Sequence, residues 1–303
     1  SAMMGAPAVM LEKLPSGAEP EVAFRALERY LGKNAAAVLP IEAGGLNSCI
    51  PIYTAAVLGL PLVDADGMGR AFPELPMVSF SIGGVSATPM VVCDEKGNIA
   101  VIETIDNPWS EVLARTLTVA MGLAAMIAIY PLTGKQLKSL AIRGTISLAG
   151  KIGKAIAESN RSQSDPIDAL CTTTKGYRLF TGKIVDVNRD LTTGFVRGTA
   201  QLQGIDVDEE SSFSVDFQNE NLVARRDDHV VAMTPDLITL VDAETTHPVT
   251  TENLRYGRRV HVLGMPCDEI WRQPDGIALV GPRYFGYDVD YTPIENAVRG
   301  GQR

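Results

Sequence analysis

Cysteine is scarce and falls into no pattern: Cys49, Cys93, Cys171 and Cys267 are the only four in 303 residues, with no CxxC among them. That excludes a disulfide framework and a zinc ribbon, and the expected setting is a reducing cytoplasm. Burial is the expected fate of Cys93 and Cys171. Histidine is scarcer still. His229, His247 and His261 are too far apart to share a helical turn as metal ligands, and each reads as a core or surface residue. Basic residues are in deficit, 27 against 36 acidic for a net charge of −9. The footprint that phosphate-backbone binding needs is therefore missing, and no nucleic-acid partner is expected. The deficit is uneven: residues 1–160 carry 14 acids and 12 bases (−2), residues 161–303 carry 22 and 15 (−7). GxGxxG, GxSxG and HExxH do not occur, and no Gly-Lys pair is followed by Ser or Thr. Dinucleotide enzymes, P-loop ATPases, serine hydrolases and zincins drop out, and with them any nucleotide cofactor. The most lipid-like run, Thr116 to Tyr130, is only 15 residues long before Pro131, short of the ~20 that span a bilayer. It reads as a buried core helix, and no membrane partner is expected.

What is present is an ordinary folded composition, 46% hydrophobic and 21% charged, long enough for two domains at ~100–200 residues each. The fold class read from it is α/β in its first part and α+β overall. An α/β domain over 1–165 holds a mixed sheet followed by a helical stretch over 108–159, and a β-rich domain covers 166–303. In the first half, 37–41 and 60–63 read as buried strands and 47–58 as a helix capped by Asn47 or Ser48. Residues 77–82 read as a half-exposed strand, and 90–93 with 99–103 as a hairpin around Asp94-Glu95-Lys96-Gly97-Asn98. Residues 160–166 read as a polar linker. Beyond it come short strands near 182–187, 194–202, 213–217, 229–233, 237–241, 259–263 and 277–280. The aromatic tail 281–303 is expected to return to the first domain. The uncapped apolar opening, Ser1 to Pro7, reads as the inside of a structural element and implies a segment before it.

The densest polar cluster is Glu42-Ala43-Gly44-Gly45-Leu46-Asn47-Ser48 with Asp64-Ala65-Asp66-Gly67-Met68-Gly69-Arg70. Adjacent strands deliver Glu42 and Asp64 to one carboxyl edge, where open sheets bind ligands. The Gly44 and Gly45 amides, at a helix start, favour anions or developing negative charge. Carboxylates held together raise at least one pKa by mutual repulsion, which suits a general acid near neutral pH. Arg70 balances them or clamps a substrate carboxylate. The structural alternative is that Asp64 and Asp66 shape a turn and Glu42 pairs with Arg70. A second row, Asp216 to Asn221, follows a strand and contains Gln218, Asn219 and Glu220. It lines a cleft or forms a solvated loop.

These clusters resemble the S-methyl thiohydantoin desulfurase family. The resemblance rests on 3–7 (MMGAP), 40–48 (PIEAGGLNS), 63–74 (VDADGMGRAFPE), 217–222 (FQNENL), 235–238 (PDLI), 254–257 (LRYG) and 280–287 (VGPRYFGY), in order along the chain. It implies an α/β N-terminal domain joined to a β-rich C-terminal one, preceded in most members by a glycine-rich segment. It also implies a bacterial setting beside hydantoin-utilisation enzymes, and hydrolytic removal of a methylthio group from a small five-membered ring. On that reading Asp64 or Asp66 is the base and Glu42 the acid. Arg70, Gly44 and Gly45 hold a ring oxygen or carboxylate, and Asn47, Ser48, Gln218, Asn219 and Glu220 are the substrate-binding set. A divalent metal on Glu42, Asp64 and Asp66 is a variant, and a homo-oligomer is expected. The rival reading is a non-catalytic subunit that binds a ring compound or a hydantoinase partner.

Overall fold

The computed structural model describes residues 1–5, 9, 15–192 and 195–300. Ala6, Pro7, Gly194 and the last three residues of the expected tail lie outside them. The chain forms two compact units, Ser1–Ser147 and Leu148–Arg303, so the break falls inside a helix instead of at 165/166. The α+β class holds, with the large sheet in the C-terminal part.

The N-terminal unit runs β1 (Ala2–Gly5), α1 (Glu19–Leu31), α2 (Leu46–Leu58), β2 (Ala65–Asp66), α3 (Ser79–Ile82), β3 (Met90–Cys93), β4 (Ile99–Ile102), α4 (Asn107–Ala120), β5 (Ala124–Ala128), α5 (Gly134–Leu140), β6 (Ile142–Arg143) and the start of α6 (Thr145–Ser162). Its four-stranded sheet has the order β1-β5-β3-β4, and every pairing in it is antiparallel. The expected mixed sheet is thus corrected. The expected strands at 37–41 and 60–63 reduce to a single parallel bridge, Val38 to Leu62. Residues 79–82 are a helical turn, not part of the expected strand.

Thr116 to Tyr130 is not one helix. Gly122 and Leu123 take positive φ (91° and 68°), which ends α4, and Ala124–Ala128 becomes a strand buried at every position. A strand covered on both faces is continuously apolar, so this run carries no period to tell it from a buried helix. Among the described residues no helix is long and apolar enough to cross a membrane. Thr133 caps α5 in a complete capping box with Gln136.

In the C-terminal unit α6 continues to Ser162 and α7 (Pro166–Thr174) follows at once, its N-terminus capped by Asp165. The expected linker shrinks to three residues. Next come β7 (Tyr177–Thr192), β8 (Phe195–Gly204), β9 (Ser212–Gln218), β10 (Glu220–Arg226), β11 (His229–Met233), β12 (Leu237–Asp242), β13 (Pro248–Val249), β14 (Arg259–Met265), α8 (Glu269–Arg272), α9 (Pro274–Val280) and α10 (Ile294–Gly300). The run at 277–280 is helical, not a strand. Eight strands form one antiparallel sheet, β11-β10-β9-β8-β7-β14-β12-β13. It curls enough for Asn221 on β10 to donate to the Ile238 carbonyl on β12 at 2.9 Å. Its core is built on Phe180 stacked against Phe213 (centroids 4.7 Å apart), with Phe217, Leu240 and Val262.

The C-terminal segment, expected to return to the first domain, is tied down on this sheet. Ile294 enters the core, and fully buried Asp236 accepts from the Ile294 amide (2.8 Å), the Tyr291 hydroxyl (3.0 Å), the Cys267 amide (2.8 Å) and Arg272 (3.1 Å).

Candidate active site

Two loops in the N-terminal unit, 41–48 and 64–72, are stitched together by their own acidic side chains. Gly67 donates its amide to the Ile41 carbonyl at 3.0 Å. A side chain there would meet that same oxygen at 3.0 Å and the Phe80 ring at 2.8 Å, so only glycine lets the loops approach this closely. Asp66, with no exposed surface, accepts the Gly69 amide with both oxygens (3.0 and 2.8 Å). The Met68 and Ala43 amides donate to it as well. Buried Thr145 turns its hydroxyl to the same carboxylate without completing a well-formed hydrogen bond.

Glu42 answers from the other loop. The Phe72 amide donates to its carboxylate, and Asn47 Nδ2 donates to its Oε1 at 2.6 Å. Asn47 is also clamped to the edge of β1, its Oδ1 accepting the Met3 amide at 2.7 Å and its Nδ2 donating to the Met3 carbonyl at 3.0 Å. Asn47 is therefore a brace between strand and carboxylate, not the expected helix cap. Ser48 does not cap either, since its hydroxyl donates to the Gly44 carbonyl at 2.5 Å. The N-cap of α2 is Gly45, and no side chain caps that end.

Burial pushes both carboxyls up to about 7. In each case the surrounding donors pull the other way and desolvation outweighs them. Mutual repulsion, the expected cause, contributes to neither. As a residue Glu42 keeps some exposed surface, whereas Asp66 has none.

Asp64 does something else. It is exposed, and its carboxylate accepts the Ser147 amide (2.9 Å) and the Ser147 hydroxyl (2.5 Å) in the first turn of α6. It caps a helix 83 residues further on, a favourable place for an anion. Asp64→Ala is expected to cost about 1 kcal/mol in denaturant unfolding with turnover held within about threefold. Glu42, Asp64 and Asp66 do not converge as a ligand set, and among the described residues no three His, Cys, Asp or Glu side chains are placed to hold a metal.

Arg70 is buried, its Nε donating to the Ala71 carbonyl at 3.0 Å and its guanidinium lying 4.6 Å from the centroid of the Phe72 ring. It stiffens the second loop. Gln218, Asn219 and Glu220 stand in the C-terminal unit, at the β9–β10 turn. Asn219, at φ 57°, makes that turn, exchanges backbone and side-chain hydrogen bonds with Val196, and accepts from Thr251. Asp216 pairs with Arg225 and accepts from Thr199. Cys93 is buried in the sheet, donates to the Glu19 carbonyl at 3.3 Å, and its thiol is pushed up to about 11 by burial. That disqualifies it as a nucleophile near neutral pH.

Thr145 and Ser147 did not emerge from the sequence as site residues. Their connection to Asp64 and Asp66 depends on β6 pairing with β2, and no local pattern announces it.

The model of the S-Me-THD-like N-terminal domain matches residues 1–104, and that of the S-Me-THD-like C-terminal domain matches 105–294. No curated protein matches. A crystal structure of a protein from Chromobacterium violaceum is 25% identical with a TM-score of 0.79, over 97% of this chain and 83% of that one. The family boundary at 104/105 does not coincide with the break between units, so α4 to β6 and the Thr145–Ser147 turn fold with the N-terminal unit. With both family models matched in order over nearly its whole length, the chain belongs to the S-Me-THD-like family.

Proposed function

We propose that the protein is a hydrolase that removes a methylthio group from a small S-methyl thiohydantoin ring, with Glu42 as its proton-transfer residue. The observation that carries this is a carboxyl raised to about 7 by burial and braced by Asn47, just before the N-terminus of α2, which no side chain caps. A group that is half ionised near neutral pH can take a proton and return it.

The ring carbon under attack bears two nitrogens and the methylthio group. Glu42 takes a proton from water as the water oxygen bonds to that carbon. The carbon–sulfur bond then breaks, the proton on Glu42 passes to the departing sulfur, and the second proton of the water moves to a ring nitrogen. The products are a ring carbonyl and methanethiol, with no redox change. Negative charge gathered on the ring during attack is favoured by the free amides at the start of α2, where the helix dipole has its positive end. Asp66, enclosed and saturated with donors, holds the 66–69 turn against Ala43 and so positions Glu42 instead of acting as the base. Asp64 is assigned to the α6 cap.

The test is incubation with S-methyl-thiohydantoin propionate and a panel of plain hydantoins, with and without chelator, following released thiol and ring absorbance. Thiol release from the methylthio ring, absent with plain hydantoins, is the expected result. Tight ring binding with no thiol released would support the non-catalytic subunit and overturn this reading.

A further inference from the structure

Helix α4 is amphipathic in the reverse sense for a surface helix. Against the four-stranded sheet it places Ser110, Ala114 and Thr118, all buried and small, which lets the helix lie close. On its outer face, at i, i+3 and i+4 spacing, stand Trp109, Val112, Leu113 and Val119, with Ile105 just before the helix and Leu123 just after. Their exposures are 49%, 51%, 39%, 51%, 88% and 43%. A surface helix ordinarily shows the opposite distribution. The only charges in α4, Glu111 and Arg115, are paired with each other, and Glu111 also accepts the Leu75 amide.

Together these six residues expose roughly 600 Å², about three quarters of the about 800 Å² that each partner buries in a standard interface. We infer that this face is the interface between two copies of the chain, paired with the α4 helices antiparallel about a two-fold axis. The charge distribution selects both the occupant and the direction. In a chain of net charge −9, two copies meet with least repulsion across an uncharged face. Exposed Glu103 and Asp106 sit at one end of the stripe; antiparallel pairing carries them to opposite ends, whereas parallel pairing would set them against their own copies. A two-fold contact is self-complementary, and Leu113, near the middle of the stripe, then faces its own counterpart.

The experiment is sedimentation velocity with light scattering on the full chain and on Leu113→Glu and Leu113→Lys, alone and as an equimolar mixture. The wild type is expected at twice its 32.4 kDa chain mass, each variant alone to associate at least about 100-fold more weakly, and the mixture to regain the dimer. Restoration on mixing requires that position 113 face itself, which a different protein partner would not produce. Val112→Glu and Val112→Lys repeat the test if a Leu113 variant melts early. A wild type that stays monomeric at about 50 μM, or a dimer unmoved by either substitution, overturns the inference. So does a dimer lost instead in Ile52→Glu, on the exposed apolar side of α2.

Discussion

Glu42→Gln is expected to lower thiol release by about 100- to 10,000-fold, the usual contribution of a positioned proton-transfer group, while making the fold more stable above neutral pH. The two effects have one origin. Burial raises the Glu42 carboxyl to about 7, whereas in the unfolded chain a glutamate titrates near 4.3. Between those values the folded state keeps a proton that the unfolded state has released. Stability contributed by this group is therefore complete below about pH 4 and is lost as pH rises through 7. The amount at stake is about 3–4 kcal/mol for a shift of this order. Glutamine fills the same space and can accept from Asn47 and Phe72, but it does not ionise. Urea unfolding at several pH values between 4.5 and 8 should show the wild type losing stability with rising pH, and the variant losing one proton's worth less. The rate profile should lose its limb near pH 7. A variant with unchanged turnover would remove Glu42 from the mechanism, and an unchanged stability slope would show that its carboxyl is not raised.

Asp66→Asn should act first on the fold and only through it on turnover. The carboxylate is enclosed among the Gly69, Met68 and Ala43 amides, all of them donors. An asparagine brings one oxygen and one NH2 group, and the latter turns hydrogen atoms toward hydrogen atoms. Leaving one or two buried donors unmet costs about 2–4 kcal/mol, which should appear as a lower urea midpoint for the N-terminal unit. Turnover should fall because the 66–69 turn no longer holds Ala43, and with it Glu42, in place. The pH at which the remaining activity titrates should stay close to that of the wild type. If Asp66 were itself the base, activity would vanish with little change in the unfolding midpoint, so the ratio of the two effects separates a positioning role from a catalytic one.

Particular residues show what was legible along the chain and what was not. Helix α2 and the β3–β4 hairpin could be read because their signals are local: a glycine pair and a run of helix-compatible residues, or a turn sequence between two apolar runs. The Glu42 and Asp66 loops could be picked out by their density of polar groups and glycines, and both do come together. The 124–128 strand could not, because a segment buried on both faces has no alternation to reveal its type. Residues 79–82 and 277–280 are short apolar runs that mimic strands, yet both lie in short helical segments.

The division of labour among the acids is the other case. Asp64 and Asp66 are two residues apart and chemically alike, and nothing in the order of residues separates them. One faces out and caps α6 through Ser147, and the other faces in and binds three loop amides. That difference is set by the pairing of β2 with β6, 76 to 78 residues apart along the chain. Composition and local pattern thus determined the class of fold and the loops that gather acids and glycines, since these depend on turn chemistry and on which segments are apolar, while the family was legible only as a resemblance carried by motifs in order along the chain. Burial, which decides which carboxyl is raised and which only holds the structure together, came from contacts between distant segments, and only the tertiary structure supplies those.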